Sequence, residues 1–341
     1  MLRFDEARAS TGRGDARLAL ISFDSLGDGL VYLMMADNLR ANGYQISCYG
    51  NIAYQLRDWL PQLDIHAYPE PPEFEATFDQ YDFVIASPPS FLRRSLGEAD
   101  LVRIRQKWAL VCQKTPATWL HDHSATASPE LTQQLGGLLS CAGPIRFRAF
   151  EQESVVEITL QYMRQRMGLE RVTKQVQLSP PTGLEHRRHR RRIVISPDSA
   201  GPEKKNWSPS GFLKLCQTLK DRGYEPHIVV APNNHARWER LAGGRFPTPK
   251  FPEIGALAAF LYESGLLVAN DSGNGHLASF LGIPTITLYR KKNPDFHWRP
   301  DWAPGVVICP SVTLPKLEGS WRWFIRPATV LRAIENLSSQ Q

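Results

Sequence analysis

A chain of 341 residues, 42% hydrophobic and 22% charged, has a soluble, globular composition and exceeds what one core usually fills, which argues for two domains with a cleft. No apolar run approaches the ~18 to 20 residues that span a bilayer. The net charge of +6 is local, because the run "HRRHRRR" at 186–192 holds five arginines. That pattern argues against nucleic acid as a partner, and leaves the run as a solvated linker face or as a contact for an anionic ligand or membrane surface.

The opening "MLRFDEARASTGRGDARL" mixes charges and lacks an apolar signal core, so residues 1–15 are expected to be a flexible arm of a cytoplasmic, monomeric protein. Five scattered cysteines, with no CxxC, imply reduced thiols rather than disulfides or a zinc framework. From "ARLALISF" (16–23) the chain reads as strand, the loop "DSLGDG", then a helix over "LVYLMMADNLRANG" that Gly43 stops. "YQISCYG" (44–50), "YDFVIAS" (81–87) and "WALVC" (108–112) read as further buried strands, giving a first α/β domain over 16–175. A helical stretch, "ESVVEITLQYMRQRMGL", leads into a polar segment whose end, 176–192, is the predicted linker.

A second series follows over 193–320. It runs strand "RIVISP", helix "SPSGFLKLCQTLKDRG", strand "PHIVVAP", helices at "ARWERLAGG" and "IGALAAFLYESG", strand "LLVAND", helix "GHLASFLG" and strand "PTITLYR". A last helix is expected within 321–341. Two such series predict two Rossmann-like domains facing each other across a cleft.

Four loops can carry chemistry. In "DSLGDGL" (24–30), Gly27 and Gly29 permit a tight turn or close backbone approach. Asp28 is either a general base over the cleft or, with Asp24 and Ser25, a cap for a helix starting at Leu30. "SPDSAGPEKKNWSP" (196–209) offers Ser199, Lys204 and Lys205, which suit a diphosphate or simply face solvent. In "NDSGNGHLASFLG" (270–282) the helix is expected to begin near His276, so the amides of Ser272, Gly273, Asn274, Gly275 and His276 can meet an anion. The alternative has Asp271 or Ser272 capping that helix and His276 packed on the loop. "GNGHLA" also fits a dinucleotide fingerprint and opens an NADP-dependent oxidoreductase reading, against which stand its late position and the missing acid after the next strand. "YRKKNPDFHWRPDW" (289–302) is an aromatic and basic cleft mouth. In "HDHSATASPE" (121–130), His121, Asp122 and His123 read as a polar loop rather than a metal site.

Together these residues resemble one family. "DSGNGHLASFLGIPTITLY", "SLGDGL", "KNWS" (205–208), "NPDFHWRP" and the closing "IRPATVLRAIENL" match the motifs of glycosyltransferase family 9, the bacterial lipopolysaccharide heptosyltransferases. The resemblance implies a GT-B fold with an N-terminal acceptor domain and a C-terminal donor domain. It implies inverting transfer, without metal or cofactor, of a sugar from a nucleotide donor, typically ADP-heptose, to a glycan, glycolipid or protein acceptor. By motif, Asp28 is the base. Lys205, with amides at Ser272 and Gly273, meets the leaving diphosphate, and Asp271 and His276 hold the donor sugar. The sequence departs from the pattern at Val31, Ala200, Gly201, Asn233, Asn234 and "RKKNP", which leaves another nucleotide sugar, or a catalytically silent GT-B-like binding protein, open as alternatives.

Overall fold

The computed structural model describes residues 15–23, 25–87, 106–112, 115, 117–145, 153–290, 298–312 and 319–339. The expected arm through residue 14, Asp24 and the stretch "KKNPDFH" (291–297) lie outside them.

The strands β1 (Arg17–Ile21), β2 (Gln45–Tyr49), β3 (Asp64–His66), β4 (Phe83–Ala86), β5 (Trp108–Cys112) and β6 (Gly143–Pro144) form one sheet in the order β3-β2-β1-β4-β5-β6. β7 (His189–Ser196), β8 (Glu225–Ile228), β9 (Ser264–Asn270), β10 (Thr285–Leu288) and β11 (Gly305–Ile308) form a second, ordered β11-β10-β9-β7-β8. Every pairing among the described residues is parallel. Helices cover both faces of parallel sheets, so β4 and β9 are buried along their whole length and read as continuous apolar runs. β3, β6 and β11 escape that pattern because they are short strands at sheet edges.

Strand order reverses between β1 and β4 in the first sheet and between β7 and β9 in the second. Ligand crevices in open α/β sheets lie beyond the carboxyl ends of strands at such reversals. The loops after β1, β7 and β9 are therefore the ones that topology assigns to ligand.

The helices that frame them are α1 (Leu26–Ala41), α2 (Val155–Gln165), α3 (Pro202–Lys205), α4 (Pro209–Asp221), α5 (His235–Ala242), α6 (Ile254–Tyr262), α7 (Gly273–Phe280), α8 (Trp321–Phe324) and α9 (Pro327–Ser339). α1 is buried nearly all round, which its amides exploit. Asn38 Nδ2 donates to Thr173 O and its Oδ1 accepts from Thr173 N, both at 2.8 Å, while Asn42 Oδ1 accepts from Arg171 N at 3.1 Å. The polar segment after α2 is thus fixed by side-chain-to-backbone hydrogen bonds, each worth roughly 1 kcal/mol, and by isolated apolar contacts of Val172, Val176 and Leu178 with the core rather than by a periodic apolar face. This explains its lack of periodicity.

The expected linker ends sooner than the sequence suggested, since β7 begins at His189 and takes the second half of the basic run into the sheet. Parallel pairing with β8 and β9 continues the strand backwards, and the Arg192 guanidinium lies 4.4 Å over the Phe260 ring. Arg188, Arg190 and Arg191 remain exposed, at the end of the sheet opposite the crevice.

One apolar cluster spans both sheets. Leu277, Phe280 and Trp302 of the second pack into the same apolar cluster as Leu30, Leu33 and Met34 of α1. Gln55 Oε1 accepts from Ile254 N at 2.7 Å, capping α6 from the other domain, and Ser154 Oγ donates to Asp301 Oδ2 at 2.6 Å. Val330 and Ile334 of α9 pack with Phe212 and Leu215 of α4, which ties the C-terminal helix into the second domain.

Candidate active site

Ser25 caps α1, accepting from Asp28 N at 3.3 Å, and the helix starts at Leu26 rather than Leu30. Asp28 is therefore in the first helical turn, not in the loop, and Gly27 and Gly29 are helical too. Neither glycine makes a turn. A Cβ on Gly27 would lie 3.4 Å from the His276 ring, whereas one on Gly29 would find only Ile52, at 3.9 Å. Burial raises the Asp28 carboxyl above its ordinary 3.8, despite the hydrogen bond from Ser25 Oγ and the helix N-terminus, which favour the charged form. A carboxylate with a raised pKa is a better proton acceptor.

Across the cleft, β9 delivers Asp271 and α7 begins at Gly273, three residues before the expected start. Ser272 is the cap residue, yet its side chain makes no bond to the helix and its Oγ is buried without a partner. The capping alternative is not realised, so the α7 amides at Gly273 and Asn274 keep the partial positive charge of an open helix end. Asn274 Nδ2 donates to Ser196 Oγ at 3.0 Å, tying α7 to the end of β7. Gly275 packs near Pro300 and Thr287.

Lys205, the last residue of α3, donates from Nζ to Asp271 Oδ2 at 2.6 Å. Asp271 Oδ1 accepts from the Tyr289 hydroxyl at 3.4 Å. Ser199 Oγ donates to Asn206 Oδ1 at 2.5 Å and accepts from Gly201 N, so this predicted donor contact braces its own loop. His276 is buried between Trp298 and Trp302, each with its ring centre 6.1 Å away. Burial lowers its pKa from 6.5 to about 4, so at neutral pH it is an uncharged packing group with Nδ1 unpartnered. A native imidazole that binds fewer protons than the unfolded one stabilises fully above about pH 6.5, and that contribution is lost as pH falls towards 4. We expect His276→Phe to flatten this part of the stability curve, as measured by urea unfolding between pH 4 and 7.

Asp28, Lys204, Lys205, Asp271, Ser272, Gly273 and His276 line one cavity of about 680 Å³ between the domains. Through Ala200, Ser272 and Gly273 it adjoins a second, of about 970 Å³, which Ser199 and Asn274 help to line together with residues from 229–235 and 250–257. Sequence reasoning missed the 250–257 side of that cavity, because its start is an irregular Pro-containing turn with no motif. In the loop at 121–130, His123 is buried, edge-on to Phe83, with Nδ1 3.2 Å from Leu139 O. Among the described residues no three His, Cys, Asp or Glu side chains are placed to hold a metal ion.

The two helix ends approach closely at Gly273, where a Cβ would lie 2.9 Å from Leu26 Cβ. Gly273→Ala is expected to force the two helix ends apart and cost about 1–3 kcal/mol, as overpacking does. Gly29→Ala, with room and helical geometry, is expected to stabilise by about 0.5–1 kcal/mol. Paired thermal unfolding of the two variants checks both signs.

Two parallel-sheet domains that close a cavity between a half-buried carboxyl and an open helix end define a GT-B-type architecture, and known structures share it. The chain superposes on Escherichia coli ADP-heptose lps heptosyltransferase II with a TM-score of 0.64 at 18% identity, over 95% of this chain and 99% of that one. For E. coli heptosyltransferase WaaC with ADP the values are 0.61 and 18%, over 94% and 99%. In sequence it is 30% identical over 125 residues to lipopolysaccharide heptosyltransferase 3 of E. coli strain K12, a match that spans about a third of each chain (34% and 35%). The model of glycosyltransferase family 9 (heptosyltransferase) matches residues 145–318, about half of the chain. The chain belongs to glycosyltransferase family 9.

Among the described residues no helix is long and apolar enough to cross a membrane.

Proposed function

We propose that the protein is an inverting glycosyltransferase that moves a sugar, in the first instance a heptose, from an ADP-linked donor to a lipopolysaccharide precursor or related surface glycan, without a metal ion. One observation carries this reading: a half-buried carboxyl from one domain and a lysine beside an uncapped helix end from the other line a single cavity. In the proposed reaction Asp28 takes the proton of the acceptor hydroxyl as its oxygen attacks the anomeric carbon. The bond from that carbon to the diphosphate breaks, and Lys205 with the amides after Asp271 meets the charge on the departing nucleoside diphosphate. The adjoining cavity over 229–234 and 250–254 has the volume and the mixed lining for a nucleoside. We place the enzyme in the cytoplasm. Exposed Arg188, Arg190 and Arg191 offer charge for a peripheral contact with anionic membrane, by the face opposite the cleft.

A thermal-shift screen of nucleoside diphosphates and their sugars tests the reading, since a ligand at a hundred times its Kd stabilises the native state by about 2.7 kcal/mol. ADP and ADP-heptose are expected to raise Tm. A protein that no nucleoside diphosphate or nucleotide sugar stabilises does not have this function.

A further inference from the structure

We propose that Arg322 is the positioning residue for Lys205. It grips the main chain of α3 from the side away from the cavity and so aims the lysine ammonium. The inference rests on the reading of Lys205 as the partner of the leaving diphosphate.

The helix that carries Lys204 and Lys205 is a single turn with no side-chain cap, too short to hold itself. Carbonyls along so short a turn need donors from elsewhere. Arg322 of α8 serves three of them: Nε donates to Asn206 O at 2.6 Å, and Nη2 donates to Pro202 O at 3.4 Å and to Glu203 O. A planar guanidinium can hold several carbonyls at once, which an ammonium cannot do in fixed geometry. Its charge also sits at the negative end of the turn.

Arg322 is itself held on buried groups. Trp207 Nε1 donates to Arg322 O at 2.9 Å, Trp207 N donates to Asn270 Oδ1 at 3.0 Å, and Asn270 Nδ2 donates to Pro197 O at 2.6 Å. Trp207, Asn270 and Trp321 are all buried. One network therefore sets α3, which ends at Lys205, against Asn270, which precedes Asp271. Gly319 leaves the path open, since a Cβ there would lie 2.5 Å from Arg322 Nη1. Arg322 lines neither cavity and lies beyond the stretch that the family model matches.

The test uses the full chain with ¹³C-dimethylated lysines, the Lys205 signal being assigned by its loss in Lys205→Arg, and ADP as the calorimetric probe. In Arg322→Ala we expect the Lys205 signal to move to the position of a free surface lysine, and the ADP Kd to rise about tenfold, the low end of what losing an orienting partner costs. In a Lys205→Met background the same substitution is expected to add nothing further to the Kd, because both act through one group. Guanidinium ions at millimolar concentration should restore part of the affinity in Arg322→Ala but not in Lys205→Met. An unshifted Lys205 signal with unchanged ADP affinity in folded Arg322→Ala overturns the proposal. If that variant fails to fold, Arg322→Lys, which keeps the charge but not the fork, takes its place with the same two readouts. Should the wild type bind no ADP, the donor reading fails on its own, and the lysine signal still decides whether Arg322 orders Lys205.

Discussion

Replacing Asp28 with Asn is expected to lower kcat for sugar transfer by about 10²- to 10⁴-fold, the range that a positioned general base contributes. Donor binding should change little, because the diphosphate partners all belong to the other domain. The amide keeps the size of the carboxyl and can still meet Ser25, so a loss of rate is not a loss of fold. Stability moves the other way. With its pKa raised above 3.8 by burial, native Asp28 binds more protons than unfolded Asp28 in the window just above that value, so its share of stability falls as pH rises through the window. At neutral pH the half-buried charge carries a desolvation cost that Asn does not, and Asp28→Asn is expected to melt no lower than the wild type at pH 7. The same shift moves the acid limb of the rate profile upwards from 3.8, since the base must be deprotonated to act. A variant that transfers sugar at the wild-type rate would remove Asp28 from the mechanism.

Lys205→Met should show the second large effect, a fall in kcat of about 10²- to 10³-fold, as for loss of one preorganised group at a developing negative charge. The effect on stability is expected to be small. The Lys205 side chain is 49% exposed in its ion pair with Asp271, and exposed pairs contribute roughly 0–1 kcal/mol. Single-turnover rates with saturating donor, set beside urea unfolding, separate the two quantities. Equal losses of rate and stability would mean that Lys205 is a structural residue.

Asp28 and Lys205 are legible as candidates in the sequence, but their surroundings are not. The motifs point to both residues and to the stretch from Asp271 to His276, and the apolar runs locate the central strands. Edge strands β3, β6 and β11 are illegible, because a two- to four-residue strand at a sheet edge carries no long apolar signal. The expected helix starts fall too late at both α1 and α7, for one reason. Glycines in "LGDG" and "GNG" read as loop, whereas here they are helical positions, of which Gly273 leaves room for the two helix ends to meet.

Arg322 and the 250–257 side of the second cavity escape sequence reasoning because nothing local marks them: one is an arginine in a short aromatic turn, the other an irregular segment. The two-domain α/β plan and the residue types at the crevice can be read from the chain alone, since both follow from runs and spacings along continuous sequence. Folding was needed to establish that Ser272 leaves α7 uncapped, that Ser199 is occupied within its own loop, that His276 is neutral and buried, and that Asp28 and Lys205 face one cavity. Those properties depend on which side chains from distant segments share a site and how much water they exclude, and neither quantity is encoded in any one stretch of sequence.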